Sequence, residues 1–129
     1  MSEIKNLSKV YLAIPYSGMR RSSYKQATYC TAILMNKGNY NVFSPITHSH
    51  PLTKYKLRGD WAFWEQVDYQ YIDWADEVFV LVPKEGLQKV FTSTGVVAEI
   101  KYATSKNKPI TFIEIINDKI VEYGRGSNR

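Results

Sequence analysis

The sequence predicts an α/β protein: a single Rossmann/flavodoxin-like three-layer domain with a mainly parallel sheet of four or five strands. Three observations predict it. Apolar strand-like runs alternate with periodic helix-like segments in the order β-α-β-α-β-α-β-β, and such alternation folds through right-handed crossovers onto a parallel sheet. The run EVFVLVP (77–83) is apolar after its first residue, as a strand covered on both faces must be. Finally, 129 residues that are 44% hydrophobic and 22% charged are enough for one proper core. The whole chain, 1–129, is expected to be one domain with its core over 8–123.

Taken in order, KVYLAI (9–14) reads as a buried strand that stops at Pro15. A helix follows from Ser23 to Lys37, with Tyr24, Ala27, Thr31, Leu34 and Met35 on one side and KGNYN (37–41) ending it. NVFS (41–44) is a short strand closed by Pro45, and 45–59 then reads as a long loop without obvious structure. Loops of that length inside a compact domain are usually functional. The second helix spans about Asp60 to Ala75, its inner stripe formed by Trp61, Trp64, Asp68, Ile72 and Ala75. After the central strand come a loop at 84–92 and a helix opened by Ser93-Thr94-Gly95 and running to about Lys106. KPITFIEI (108–115) is the fourth strand. Asn117-Asp118 suggests a turn into a short last strand within NDKIVEYG (117–124), followed by a loose tail.

Bulk properties narrow the function. Apolar runs such as VFVLV (78–82) are too short to span a bilayer, and no membrane partner is expected. MSEIKNLSKVYLAI lacks the pattern of a signal peptide. Cys30 is the single cysteine, which excludes an internal disulfide framework and a cysteine-based zinc cluster. The cytoplasm is the expected compartment. The net charge of +5, from 17 basic and 12 acidic residues, is scattered apart from MRR (19–21) and KYKLR (54–58). A scattered surplus suits a solvated surface or a small phosphorylated ligand better than nucleic acid, which calls for a basic stripe.

In a doubly wound sheet, ligands bind beyond the carboxyl ends of the strands, which directs the search to 15–21, 44–58, 83–94 and the segment from Ile115. Two carboxylates break the apolar pattern beside these loops. Glu99 lies on or beside the face marked by Val96, Ile100 and Ala103, and Asp68 interrupts the inner stripe of the preceding helix. A carboxylate on an apolar face is costly unless it has partners or a task, and paired carboxylates are the usual machinery of glycosidic cleavage. The alternative is local capping by Asp68 and a solvent pair of Glu99 with Lys101 or Lys106. Glu99 near a helix start is expected to be ionised by the macrodipole, and Asp68 among aromatics to keep its proton. SGMRRSS (17–23), with Ser17, Arg20 and Arg21, has the makings of an anion site or of a plain helix cap. HSHP (48–51) supplies at most two metal ligands, so neither a metal nor a cofactor is expected. Instead, His48 or His50 is expected to bond a ligand or brace the loop.

Together VYLAIPYS (10–17), VFSPITHSHP (42–51), WAFWEQVDYQYIDWADEVFVL (61–81), STGVVAEIKYA (93–103) and KPI (108–110) resemble the nucleoside 2-deoxyribosyltransferase-like superfamily, and most closely a small branch found in phages and bacteria. The resemblance implies that Glu99, four residues after Gly95, is the nucleophile that takes the deoxyribosyl group. It also implies that Asp68, eight residues before Asp76, assists as acid or sugar-binding group, and that Tyr11 orients the nucleophile. Ser93 stands where transferases acting on free nucleosides carry an acidic residue and where nucleotide N-hydrolases of the superfamily carry a serine on the 5′-phosphate. Ser17, Arg20, Arg21, Ser44, His48, Trp64, Ser93 and Gly95 are accordingly expected to bind substrate. The HSHP loop belongs to neither characterised branch.

The expected function is therefore cleavage or exchange of the N-glycosidic bond of a (deoxy)nucleoside or its 5′-monophosphate, with hydrolysis preferred to transfer. The resemblance further implies a homo-oligomer, a dimer or higher, whose sites are completed by a neighbouring subunit. The rival functions are a nucleotide-binding protein on the same fold without turnover and a nucleic-acid-binding accessory protein.

Overall fold

Strand β1 (Ser8–Ala13) lies inside a five-stranded sheet between β2 (Tyr40–Phe43) and β3 (Glu77–Leu81). Strands β4 (Ile110–Ile116) and β5 (Lys119–Arg125) complete the order β2-β1-β3-β4-β5. The first four strands are parallel, and β5 returns antiparallel to β4. The computed structural model describes residues 6–57 and 59–125. Arg58 and the expected loose tail at the carboxyl end lie outside the described residues.

The sheet is covered on both faces, and the sequence shows why. Helix α1 (Arg20–Asn36) buries Ser23, Ala27, Cys30 and Leu34, spaced three and four apart, against Val10, Leu12, Phe79, Leu81 and Ile113. On the opposite face α3 (Trp61–Trp74) and α5 (Thr94–Ser105) pack over Tyr11, Ala13, Val78 and Val80. Alternate residues of β1 and β3 thus feed two separate cores, and the continuous apolar reading of β3 follows. The expected turn at Asn117-Asp118 is present: both residues take positive φ, 51° and 63°, as a two-residue hairpin of primed type requires.

Three expectations need correction. The segment after β2 is not a structureless loop, because α2 (Pro45–Ser49) and a 3-10 turn (His50–Tyr55) occupy most of it. Ser44 Oγ accepts from the Thr47 N–H at 3.2 Å and Pro45 sits at the first helical position, a start signal hidden by its reading as a strand end. Helix α1 begins at Arg20 rather than Ser23, since Met19 is its cap and the Ser23 N–H already bonds the Met19 carbonyl at 2.8 Å. Finally, the presumed loop at 84–92 contains the short helix α4 (Gln88–Thr92).

Candidate functional site

The strand order reverses between β1 and β3, because the chain leaves β1 toward β2 and later returns to β3 on the other side. A crevice at such a switch point is where doubly wound sheets bind ligands. Here it is a cavity of about 430 Å³. The β1–α1 connection (Ser17, Arg20), the α2 region (Ile46, His50), α3 (Trp61, Trp64, Asp68) and α4–α5 (Lys89, Ser93, Gly95, Glu99) wall it.

Its floor is the carboxylate pair. Glu99 is 6% exposed and Asp68 7%, so the solvent pairing of Glu99 with Lys101 or Lys106 does not occur. Tyr11, wholly buried in β1, donates its hydroxyl to Glu99 Oε2 at 2.5 Å. Asp68 Oδ1 is buried with no hydrogen-bond partner among the described residues. A buried acceptor in that state costs free energy until a donor arrives, and the cavity is where a donor would arrive from.

Burial raises both carboxyl pKa values. Asp68 is pushed up to about 6 by desolvation, only partly offset by its interactions with Glu99 and Tyr11. Glu99 is raised well above the usual carboxylate range by desolvation first and by the charge of Asp68 second, although the Tyr11 hydroxyl pulls the other way. Tyr11 itself is raised by burial and by the two carboxylates, so it stays a neutral donor. Desolvation raises Asp68, as expected, but it also opposes the ionised Glu99 that the macrodipole was expected to favour. The physical reason is position. Ser93 caps α5, which leaves Glu99 in the second turn, and the macrodipole acts mainly within the first.

The other expected residues divide. Ser17, Arg20, Trp64, Ser93 and Gly95 line the cavity. Ser93 Oγ also accepts from the Val96 N–H at 3.2 Å, while the Thr94 and Gly95 amides, in the first turn, have no intrahelical acceptor to take. Gly95 lies against Trp61, whose ring would stand 3.7 Å from a Cβ there.

Ser44, His48 and Arg21 are not cavity residues. Ser44 is buried as the α2 cap. Arg21 is exposed on α1. His48 is exposed and turned to Phe43, ring centroids 5.6 Å apart, with Nδ1 3.2 Å from Ser49 Oγ. The histidine in the wall is His50, two residues on and across the α2 turn. Tyr16 and Lys89 also line the cavity; Tyr16 ends the AIPYS stretch after β1, and nothing in the sequence marks Lys89. Among the described residues no three His, Cys, Asp or Glu side chains gather to hold a metal ion, and no helix is long and apolar enough to cross a membrane.

Comparison with known proteins agrees with this architecture. The family described as Domain of unknown function (DUF1937) matches residues 8–115. A solved 2-deoxyribosyltransferase from the psychrotolerant bacterium Bacillus psychrosaccharolyticus shares the fold, with a TM-score of 0.59 and 22% identity over 88% of this chain and 77% of that one. No curated protein matches by sequence.

Proposed function

Because the chain belongs to the DUF1937 family, whose description carries no activity, we propose its function from the site: cleavage of the N-glycosidic bond of a (deoxy)nucleoside or its 5′-monophosphate, with Glu99 as nucleophile. The observation that carries this reading is the buried Glu99–Asp68 pair, held by Tyr11 at the floor of a cavity at the switch point. The fold shared with a 2-deoxyribosyltransferase supports it.

The chemistry begins with the shared proton. Attack needs that proton on Asp68, which leaves a Glu99 carboxylate oriented by Tyr11. That carboxylate attacks C1′ while the bond to the base nitrogen breaks, and its electron pair leaves with the base. Asp68 protonates the departing base, and an incoming water or second base then displaces Glu99 with net retention. Water is the preferred acceptor, because Ser93 stands where transferases carry an acid. Ser93, the first-turn amides of α5 and the nearby Lys89 give a 5′-phosphate a suitable seat. Arg21 has no part in it.

Capture of the same ligand without turnover is the second reading. It is favoured by the burial that raises the Glu99 pKa well above the usual carboxylate range, which opposes formation of the attacking carboxylate. The test is chromatographic: incubate the protein with deoxynucleosides and 5′-monophosphates, with and without an acceptor base, beside Glu99→Ala. Free base released only by the intact protein supports glycosidic cleavage, and the acceptor lanes separate hydrolysis from transfer. Ligand-induced thermal shifts with no base released in any lane favour capture.

A further inference from the structure

The HSHP segment is the part of the sequence that the chemistry above does not use, and it delivers a histidine to the cavity wall. His50 is held on two sides. Its Nδ1 lies 2.6 Å from the Tyr16 hydroxyl, and its ring stacks on Tyr24 with centroids 4.6 Å apart and planes 26° from parallel. Tyr16 also meets the ring edge-on at 5.7 Å, and the Arg20 guanidinium lies 5.2 Å over the Tyr16 ring. The clamp braces the α2 region and fixes the ring in the cavity wall, with Nε2 as the ring nitrogen left over.

That edge has a definite polarity. With the Tyr16 hydroxyl as donor to Nδ1, the arrangement assigned here, the neutral ring carries its own proton on Nε2. Nε2–H is then a donor, and no protein acceptor takes it among the described residues. The α2 region and the α4–α5 connection stand at opposite sides of β1 and β3 in the sheet order. Lys89, Ser93 and the α5 amides suit a phosphate on one side, which leaves the His50 side, walled by Pro45, Ile46 and Tyr16, for a flat heterocycle.

We infer that His50, clamped by Tyr16 and Tyr24, reads the leaving base by donating Nε2–H to a ring-nitrogen acceptor, and that the base is a purine recognised through N7. A donor suits N7, a bare acceptor on the edge away from the sugar. The inference rests on the functional reading above for the class of ligand, but not on turnover.

Binding of 2′-deoxyguanosine 5′-monophosphate and of its 7-deaza analogue is measured by calorimetry in the Glu99→Gln protein, which cannot consume them. Loss of one hydrogen bond predicts about tenfold weaker binding of the 7-deaza compound. With His50→Phe added, which keeps an aromatic ring against Tyr24, the two compounds bind within about twofold of each other. Tyr16→Phe, which frees Nδ1 without touching His50, narrows the same ratio and serves if the His50 variant fails to fold. An unchanged ratio in these variants, equal binding in the presence of His50, or a loss confined to the phosphate overturns the inference. An N7-dependent ratio without base release in the unaltered protein would sink the catalytic reading and leave His50 in its role. Base release without that ratio would do the reverse, and absence of any binding would remove both.

Discussion

Glu99, Asp68 and Tyr11 form a buried unit whose proposed chemistry costs the fold stability, and the cost can be measured residue by residue. Asp68 is an acid whose pKa in the folded chain, about 6, lies above its ordinary value of 3.8. The folded state therefore holds the proton more tightly than the unfolded one. Stability from this group falls as pH rises from about 4 to about 6 and stays low above that, at a cost of about 3 kcal/mol at most. Asp68→Asn removes the penalty and relieves the charge facing Glu99. It should raise the melting temperature near pH 8, with the gain shrinking toward pH 4, while turnover falls at least about a hundredfold; a gain independent of pH would refute the cause. Turnover by the unaltered protein should climb as pH rises through about 6, where the pair drops to a single shared proton. Tyr11→Phe deletes the hydroxyl that donates to Glu99 Oε2. We expect about a hundredfold loss in kcat with little change in KM, since in the proposed reaction the contact orients the nucleophile and does not touch the base. An unchanged kcat would remove Tyr11 from the machinery.

At the scale of elements, the start of α5 performs two tasks that one substitution can separate. Ser93→Ala loses the cap to the Val96 N–H and should lower stability by about 1 kcal/mol, a few degrees in melting temperature. Ser93→Asp keeps a capping oxygen but adds a negative charge at the proposed phosphate seat. Melting should stay near that of the unaltered protein, while the preference for a 5′-monophosphate over the free nucleoside falls about tenfold or more; an unmoved preference in titrations of the two ligands would put the phosphate elsewhere. The elements also show what the sequence could and could not tell. Strands β1 and β3 were legible because two-sided burial leaves continuous apolar runs, and α3 and α5 because a carboxylate on a buried stripe stands out against its neighbours. Helix α2 was not, since a serine before a proline ends a strand as readily as it caps a helix. With α2 unread, the choice between His48 and His50 could not be made: two residues along a helical turn separates solvent from cavity. The place of Ser44 was hidden for the same reason: its hydroxyl caps α2 and does not line the cavity. The resting proton was illegible too, because it depends on how deeply two distant segments bury each other's charge.

For the molecule as a whole, the open side of the cavity is the feature that the fold does not explain by itself. A carboxylate attacking an anomeric carbon works best with bulk water held away, yet the rim formed by α4 is short, and its Leu87 and Phe91 are 47% and 58% exposed. Lys89 and Thr92 of the same helix line the cavity, so whatever covers Leu87 and Phe91 also narrows the mouth. A second copy of the chain is the proposed cover, in keeping with the homo-oligomer that the sequence resemblance implies. Sedimentation should then give a dimer or larger species at micromolar concentration, and Phe91→Lys should shift it toward monomer. Because Phe91 does not line the cavity, the loss of turnover in Phe91→Lys should track dissociation and recover as protein concentration is raised. A monomeric unaltered protein with full turnover would show instead that one chain closes its own site. Attention would then move to the 3-10 turn at His50–Tyr55, whose Leu52 and Tyr55 are also exposed, as the element that covers the ligand.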